Sequence, residues 1–358
     1  MIEPLQLAPR KRCQLVSFLY YLSNERNEGF SLSVLKSVLE ALAVGDALGM
    51  PTEFMTQKAI DEVYPEIEAL LDPSKSHTHF ELPYGSVTDD TEQNLYLARA
   101  YVDAGVITVE NSADALSRWV VECDAIAKKY IGPSSLKALN AIQSGVSPMD
   151  AGRSGTTDGG IMRTPALVLC AGRGDEDHLL YCIRMGCIPT HHTSQAISAA
   201  AAYGFALRAA MEGKDIPEIL EAAERGAMRG YESMDYVAAA PDCICRLKKI
   251  MADMKADPSD ENLRHLLYYV YGNGLESIDA FTVTMAVFFA KGKDVFGALK
   301  LCASLGGDTD TVGALCGALC AAYAGGHNIP QEILKTVVEN NHLDLDEIAQ
   351  KIEDTFWK

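Results

Sequence analysis

The sequence predicts an all-α fold, and three observations carry that prediction. Apolar residues recur at helical spacing: Leu35, Val38, Leu39 and Leu42 fall at i, i+3, i+4 and i+7. Three long stretches read as apolar helices: the Ala-rich Ser194–Met211, then Ile278–Ala290 and Thr309–Ala324. Alternating apolar and polar runs are missing, and so is any βαβ rhythm; only Ile183–Ile188 is compatible with a short strand.

Taken in order, the chain begins with Lys11 and Arg12 ahead of an apolar run from Cys13 to Leu22. That run is short and Tyr-rich, with no A-x-A site before Asn24 and Glu25, so a first helix is expected there and not a signal peptide. The helix containing Leu35 to Leu42 is expected to end near Gly49, with Pro51 and Glu53 following on a mobile flap. A helix over Glu92–Ala104 comes next, and a later one opens near Thr193. Four Gly-rich stretches, Gly45–Gly49, Gly152–Gly160, Gly272–Gly274 and Gly306–Gly307, are expected to break the helices. Glycine there costs chain entropy and helix propensity, and functional loops are a common reason to accept that cost. No Pro/Gly/Ser-rich linker divides the chain, so one domain over residues 33–358 is expected behind an N-terminal extension of residues 1–32. No stretch reaches the roughly 18 apolar residues that would span a bilayer.

Charge excludes one class of partner. The formal net charge is -18, and such a surface repels phosphate backbones, so no nucleic-acid partner is expected. Part of that charge is expected to be gathered locally to hold cations. Ten cysteines are present without any C-x-x-C, the nearest pairs being Cys243/Cys245, Cys182/Cys187 and Cys316/Cys320. Most of them read as buried free thiols in a reducing compartment, which points to the cytoplasm.

Two acidic clusters stand out. Thr88-Asp89-Asp90-Thr91 precedes one helix, and Asp308-Thr309-Asp310-Thr311 opens the most apolar helix in the chain. Helix capping is one reading, because Asp and Thr accept hydrogen bonds from free backbone N–H groups. A cap needs one oxygen, however, and each cluster offers two carboxylates and two hydroxyls within four residues. Burying such charges is costly unless they are paired or bind a cation. Hard cations such as Mg²⁺ take oxygen ligands of this kind, and two cations sharing a carboxylate would need about this many.

Other metal and hydrolase patterns fit worse. An EF-hand begun at Asp308 would need an oxygen ligand and a Glu where Val312 and Leu319 stand. A phosphatase D-x-D-x-T loop would likewise need Thr at Val312. Ser134-x-x-Lys137 has no companion motif, and no Cys/His set has zinc-ligand spacing. His77 and His79, in a polar loop, are expected at the surface.

The clusters belong to a longer series. It runs Gly45-Asp46-Ala47-Leu48-Gly49-Met50-Pro51-Thr52-Glu53, the Thr88 cluster, Asp158-Gly159-Gly160-Ile161-Met162-Arg163, Thr190-His191, Gly272-Asn273-Gly274-Leu275 and Leu305-Gly306-Gly307 before Asp308. In this order and spacing the sequence resembles the ADP-ribosylglycohydrolase family, of the dinitrogenase-reductase-activating type, from about Ser33 to Gly326. The resemblance implies an orthogonal all-α bundle with a dinuclear Mg²⁺ or Mn²⁺ centre in a central cleft. It implies Thr88, Asp89 and Asp90 on one ion, Asp308 and Thr311 on the other, and Asp310 bridging. Glu53 would stand beside the scissile bond, with Asp310 the second residue of the catalytic pair. The loop with Arg153, Ser154, Gly155, Thr156, Thr157 and Gly159 would wrap the diphosphate and distal ribose. His191, Gly274 and Leu275 would contact the rest of ADP-ribose. Where relatives often have Asn-Gly before Met-Arg, this chain has Asp158-Gly159-Gly160; a carboxylate would repel a diphosphate, so Asp158 is left out of the binding set.

Two features of the residues agree with this. Glycine at 155, 159 and 160 would let backbone N–H groups approach phosphate oxygens, and the helix opening near Thr193 would point its positive end toward the His191/His192 region. The implied activity is hydrolysis of the C1'' bond joining ADP-ribose to a protein side chain, arginine-linked first, through an oxocarbenium-like state with a metal-held water. The implied partner is the ADP-ribosylated protein. Against this stand an ADP-ribose-binding protein on the same fold, a metal-dependent phosphohydrolase, and an interaction role for residues 1–32, whose Leu15, Val16, Phe18 and Leu19 could cover an ADP-ribosylating toxin or pack on the domain.

Overall fold

The apolar stretches fold as helices, and the computed structural model describes residues 30–358 of them and their connections. The helix expected within residues 1–32 and its partner role therefore lie almost wholly outside the described residues. The elements used below are α1 (Phe30–Gly49), α2 (Asp89–Ala104), α3 (Glu176–Cys187), α4 (Ser194–Met211), α5 (Ile216–Glu232), α6 (Ser277–Lys291), α7 (Thr309–Ala324) and α8 (Leu345–Ile352). Among the described residues there is no strand, only an isolated antiparallel bridge between Thr157 and Glu276. No helix there is long and apolar enough to cross a membrane, and the nine described cysteines are free thiols.

Pattern decides depth. Helix α4 buries every residue except Ser198, and α6 and α7 are nearly as enclosed, because none has a polar stripe to turn toward water. The outer helices are amphipathic: α5 buries Ile219, Ala222, Ala223, Gly226, Ala227 and Gly230, and α8 buries Leu345, Ile348, Ala349 and Ile352. The Ile183–Ile188 stretch is not a strand. It completes α3, whose Leu179, Cys182, Ile183 and Gly186 face inward at helical spacing and whose first turn is capped by Asp175, accepting from His178 N at 2.9 Å.

The Gly45–Gly49 stretch does not break its helix at Gly45. Helix α1 runs through Gly45 and ends at Gly49, where its end is expected, and the two glycines lie four apart on the face that meets α7. A Cβ at Gly45 would stand 2.1 Å from Gly313 O, and one at Gly313 would stand 2.4 Å from Gly45 O. The same seam continues to either side, with Gly49 against Thr309 O at 2.2 Å and Gly317 against Ala41 O at 2.3 Å. The two backbones touch without side chains between them, and the gain in dispersion contact offsets the helix propensity lost to glycine. Thr52 and Thr309 lock the end of the seam: both hydroxyls donate to Gly49 O, at 2.9 Å each. This crossing brings the last turn of α1 to the first turn of α7.

Candidate metal centre

Three helix ends converge on one point. Asp46, fully buried in α1, accepts from Thr88 N at 2.9 Å, Thr88 Oγ1 at 2.9 Å, Thr91 N at 3.0 Å and Thr91 Oγ1 at 2.6 Å. Asp46 therefore caps α2 from a different helix, and the Thr88 side chain makes no cap of its own. Asp308 makes no side-chain cap on α7. Capping thus does not account for either cluster.

The two clusters meet. Thr88 Oγ1 lies 3.3 Å from Asp310 Oδ2, and Thr311 Oγ1 donates to Asp90 Oδ2 at 3.1 Å. The Gly306-Gly307 turn aims the second cluster. Both glycines have positive φ, +80° and +79°, and a Cβ at Gly307 would stand 1.9 Å from Asn273 O. Asn273 in turn donates through Nδ2 to Gly306 O at 2.9 Å and to Asp308 O at 3.1 Å. Thr309 is spent on the α1 seam and stays out of the cage.

The cage holds more negative charge than it can satisfy. Asp90 Oδ1, Asp158 Oδ2, Asp308 Oδ2 and Asp310 Oδ1 are buried with no hydrogen-bond partner among the described residues. Burial, and then the charge of Asp310, pushes the Asp46 carboxyl up to about 7. Burial also pushes Asp158 up to about 7. Glu53, Asp89, Asp90, Asp308 and Asp310 are all raised well above the usual carboxylate range, by burial first and by neighbouring carboxylates second, Asp158 for Asp308 and members of this set for the others. Buried unpaired carboxylate oxygens facing one another are what a hard divalent cation fits, and Mg²⁺ and Mn²⁺ both accept such oxygen sets.

This repulsion predicts a pH signature. A carboxyl whose folded pKa is raised binds its proton more tightly folded than unfolded. It therefore contributes stability below its unfolded pKa near ~4, and that contribution is lost as pH rises through ~7. In EDTA, urea unfolding should show the protein less stable at pH 8 than at pH 5 by on the order of 4 kcal/mol. Mn²⁺ at a hundredfold excess over its Kd should return about 2.7 kcal/mol at pH 8. Equal stability at the two pH values in EDTA, with no response to Mn²⁺, would show that the cage carries no such repulsion.

A cleft of about 180 Å³ opens onto the cage, and Glu53, Tyr130, Thr157, Gly159 and Leu275 are among the residues lining it. Of the loop expected to bind substrate, Thr157 and Gly159 reach this wall, and Leu275 faces them, held by Asp158 N donating to Leu275 O at 2.9 Å. Arg153 and Ser154 are exposed, Arg153 over the Tyr236 ring and paired with Asp150, Ser154 accepting from Lys137 Nζ at 2.9 Å. Thr156 O accepts from Ser277 N at 3.0 Å. The side of these glycines where a Cβ would stand is filled by the chain itself: a Cβ at Gly155 would stand 2.1 Å from Thr190 O, and one at Gly159 would stand 2.8 Å from the His191 ring. The start of α4 is similarly occupied, since Ser194 N donates to Tyr236 O at 2.8 Å and Ala196 N to the Thr193 hydroxyl at 3.3 Å.

His191 lies behind the wall, fully buried. Burial, helped by the Arg163 charge, holds its pKa well below the ordinary value, so the ring is neutral. Arg163 Nη1 donates to Thr190 Oγ1 at 2.7 Å, which leaves the Thr190 proton for His191 Nδ1 at 2.7 Å. The ring proton then sits on Nε2 and points at Thr157 Oγ1, 3.0 Å away. Through its other nitrogen Arg163 donates to Gln93 Oε1 at 2.8 Å, and Gln93 Nε2 donates to Asp89 Oδ2 at 2.9 Å. One buried guanidinium thus ties the first acidic cluster to the loop at Thr157.

Glu53 follows a single 3-10 turn, Met50–Thr52, and its side chain is only 13% exposed. It is not on an open flap: Thr78 Oγ1 donates to its carbonyl at 3.3 Å, and His79 Nε2 pairs with its carboxylate. The surface expectation holds for His77 but not for His79, which is buried and whose pKa burial lowers to about 4. Donor atoms of Glu53, His79 and Asp310 lie within 4.8 Å of one another. Asp46, Asp158, His79 and Gln93 are the site-shaping residues that sequence reasoning left without a role. Asp46 and Asp158 had a signal there, as members of the Gly45–Glu53 and Asp158–Arg163 motifs.

The family model described as ADP-ribosylglycohydrolase matches residues 33–358. The uncharacterized protein YegU of Escherichia coli (strain K12) is 28% identical over 309 residues, 86% of this chain and 92% of the relative. The ADP-ribosylarginine hydrolase Tri1 of Pseudomonas putida (strain GB-1) is 24% identical over 334 residues, 90% of this chain and 79% of the relative. A solved structure described as an ADP-ribosylglycohydrolase-related protein complex matches with a TM-score of 0.67 at 25% identity, over 91% of this chain and 98% of its own.

Proposed function

The chain belongs to the ADP-ribosylglycohydrolase family, and from that membership we propose that it hydrolyses the C1'' bond between ADP-ribose and a protein side chain, arginine-linked first. The observation that carries the reading is the cage: four buried carboxylate oxygens without partners, contributed by three separate segments of the chain and bordering one cleft. Two divalent cations, Mg²⁺ or Mn²⁺, would be held there by Thr88, Asp89 and Asp90 on one side and Asp308 and Thr311 on the other, with Asp310 shared. When bound, such ions acidify and orient water and neutralise the cage.

The chain's own residues do the rest. Thr157, Gly159 and Leu275 line the cleft and would seat the distal ribose. His191 keeps the Thr157 hydroxyl oriented from behind. Arg153, Ser154, Gly155 and Thr156 form the outer arm of the same loop, along which the diphosphate would run, with Gly274 supporting Leu275 opposite. Glu53, at the cleft wall, would orient the linkage and move a proton at the leaving atom. Preference for arginine is supported by likeness to the Tri1 hydrolases, whose names carry that activity.

A hydrolysis panel over Arg-, Ser- and Asp/Glu-linked ADP-ribose, with Mg²⁺, Mn²⁺ or EDTA, tests the reading. Arginine-linked substrate should release ADP-ribose fastest, EDTA should stop release, and either cation should restore it. Tight ADP-ribose binding by calorimetry without release from any substrate would make the protein a binder and end the proposal.

A further inference from the structure

Glu53 stands among like charges. Asp310, Asp308 and Asp89 all act on its carboxylate, and its side chain retains a path to solvent. Without a partner of its own, a carboxylate so placed would be pushed outward by its neighbours while the cage is empty and drawn onto the cations once they are bound, so in neither state would it stay at the cleft wall. Nothing on its own turn prevents this: the only hydrogen-bond partner of its carboxylate among the described residues is His79 Nε2, from another loop. That loop is built to hold the ring still. Ser76 Oγ accepts from Thr78 N at 3.2 Å and from His79 N at 3.0 Å. The ring packs edge-on to Tyr130 at 5.8 Å, and the Tyr130 hydroxyl donates to Val87 O at 3.3 Å, next to the first acidic cluster. Thr78 completes the grip by donating to the Glu53 carbonyl.

We propose that His79 is a positioning residue: its Nε2–H holds the Glu53 carboxylate over the acidic cage, while Thr78 holds the Glu53 backbone. The inference rests on the role of Glu53 proposed above. His79 acts through Glu53 and not as a cation ligand, because its Nε2 is already engaged by that carboxylate.

The test compares the full-length parent with His79→Phe, His79→Leu, His79→Gln, Glu53→Gln and the His79→Phe/Glu53→Gln double variant. Each is assayed for ADP-ribose release at saturating Mn²⁺ and for Mn²⁺ affinity by calorimetry. Either apolar variant that folds removes the donor, and Gln restores an N–H. Losing the donor should lower kcat about 10- to 100-fold with KM within about threefold. Mn²⁺ affinity should stay within about twofold, Gln should recover most of kcat, and the double variant should be no slower than Glu53→Gln alone. Multiplicative losses in the double variant, or a tenfold or greater fall in Mn²⁺ affinity on losing His79 (roughly 1.4 kcal/mol), would overturn the positioning role; the second would make His79 a cation ligand. Glu53→Gln turnover within about threefold of the parent would remove the Glu53 role and this inference with it. A large loss in Glu53→Gln beside an unaffected His79→Phe would overturn the His79 assignment alone.

Discussion

Asp310→Ala should lose turnover by about a thousandfold or more while the cation-free protein becomes more stable, not less. Both halves follow from where Asp310 sits. It is one of the points at which the two clusters touch, 3.3 Å from Thr88 Oγ1, and its Oδ1 has no partner among the described residues. In the proposed function it is the one carboxylate serving both cations, so alanine removes oxygens from both. Without cations, the same carboxylate is a leading electrostatic burden on Asp46, Glu53, Asp89 and Asp90. Deleting it relieves them. Urea unfolding in EDTA at pH 8 should show the gain, and the stabilisation by Mn²⁺ should vanish. A release assay giving turnover within about tenfold of the parent would count decisively against a shared ligand. A variant that lost both activity and cation-free stability would mark Asp310 as a structural residue instead.

Gly313→Val should destabilise the protein by about 3–5 kcal/mol, the upper range for an overpacked core. At this position there is no side chain to rearrange. The new Cβ would meet Gly45 O at 2.4 Å, so the α1 and α7 backbones must separate. Separation withdraws Asp46 from Thr88 and Thr91, and activity should fall along with stability. Gly132→Ala is the control: no atom lies within 4 Å of its Cβ position, and its effect should stay within about 0.5 kcal/mol. Urea unfolding of both variants decides it, and a Gly313→Val protein within about 1 kcal/mol of the parent would mean the seam is looser than its distances indicate.

The seam also shows where sequence reasoning misread a signal. Gly45 and Gly49 look like helix breakers because propensity is a local property. Their use is nonlocal: each removes a side chain where another helix must touch, and only the partner's position reveals this. The Gly152–Gly160 loop repeats the lesson, since the space where its Cβ atoms would stand is taken by Thr190 and His191. His79 falls in a polar loop, and no periodicity tells a buried loop histidine from an exposed one.

Local pattern alone determined the helices and the identity of the two acidic clusters. Helical spacing, apolar length and the crowding of oxygens at two helix starts are properties of neighbouring residues, so they survive in one dimension. Only the tertiary structure decided that the clusters share a cage, that Asp46 frees the first of them from capping, that Asp158 joins them and that His79 holds Glu53. Each of those facts is a contact between residues that are distant in sequence, and their electrostatics depend on burial. Both are set by how the helices pack.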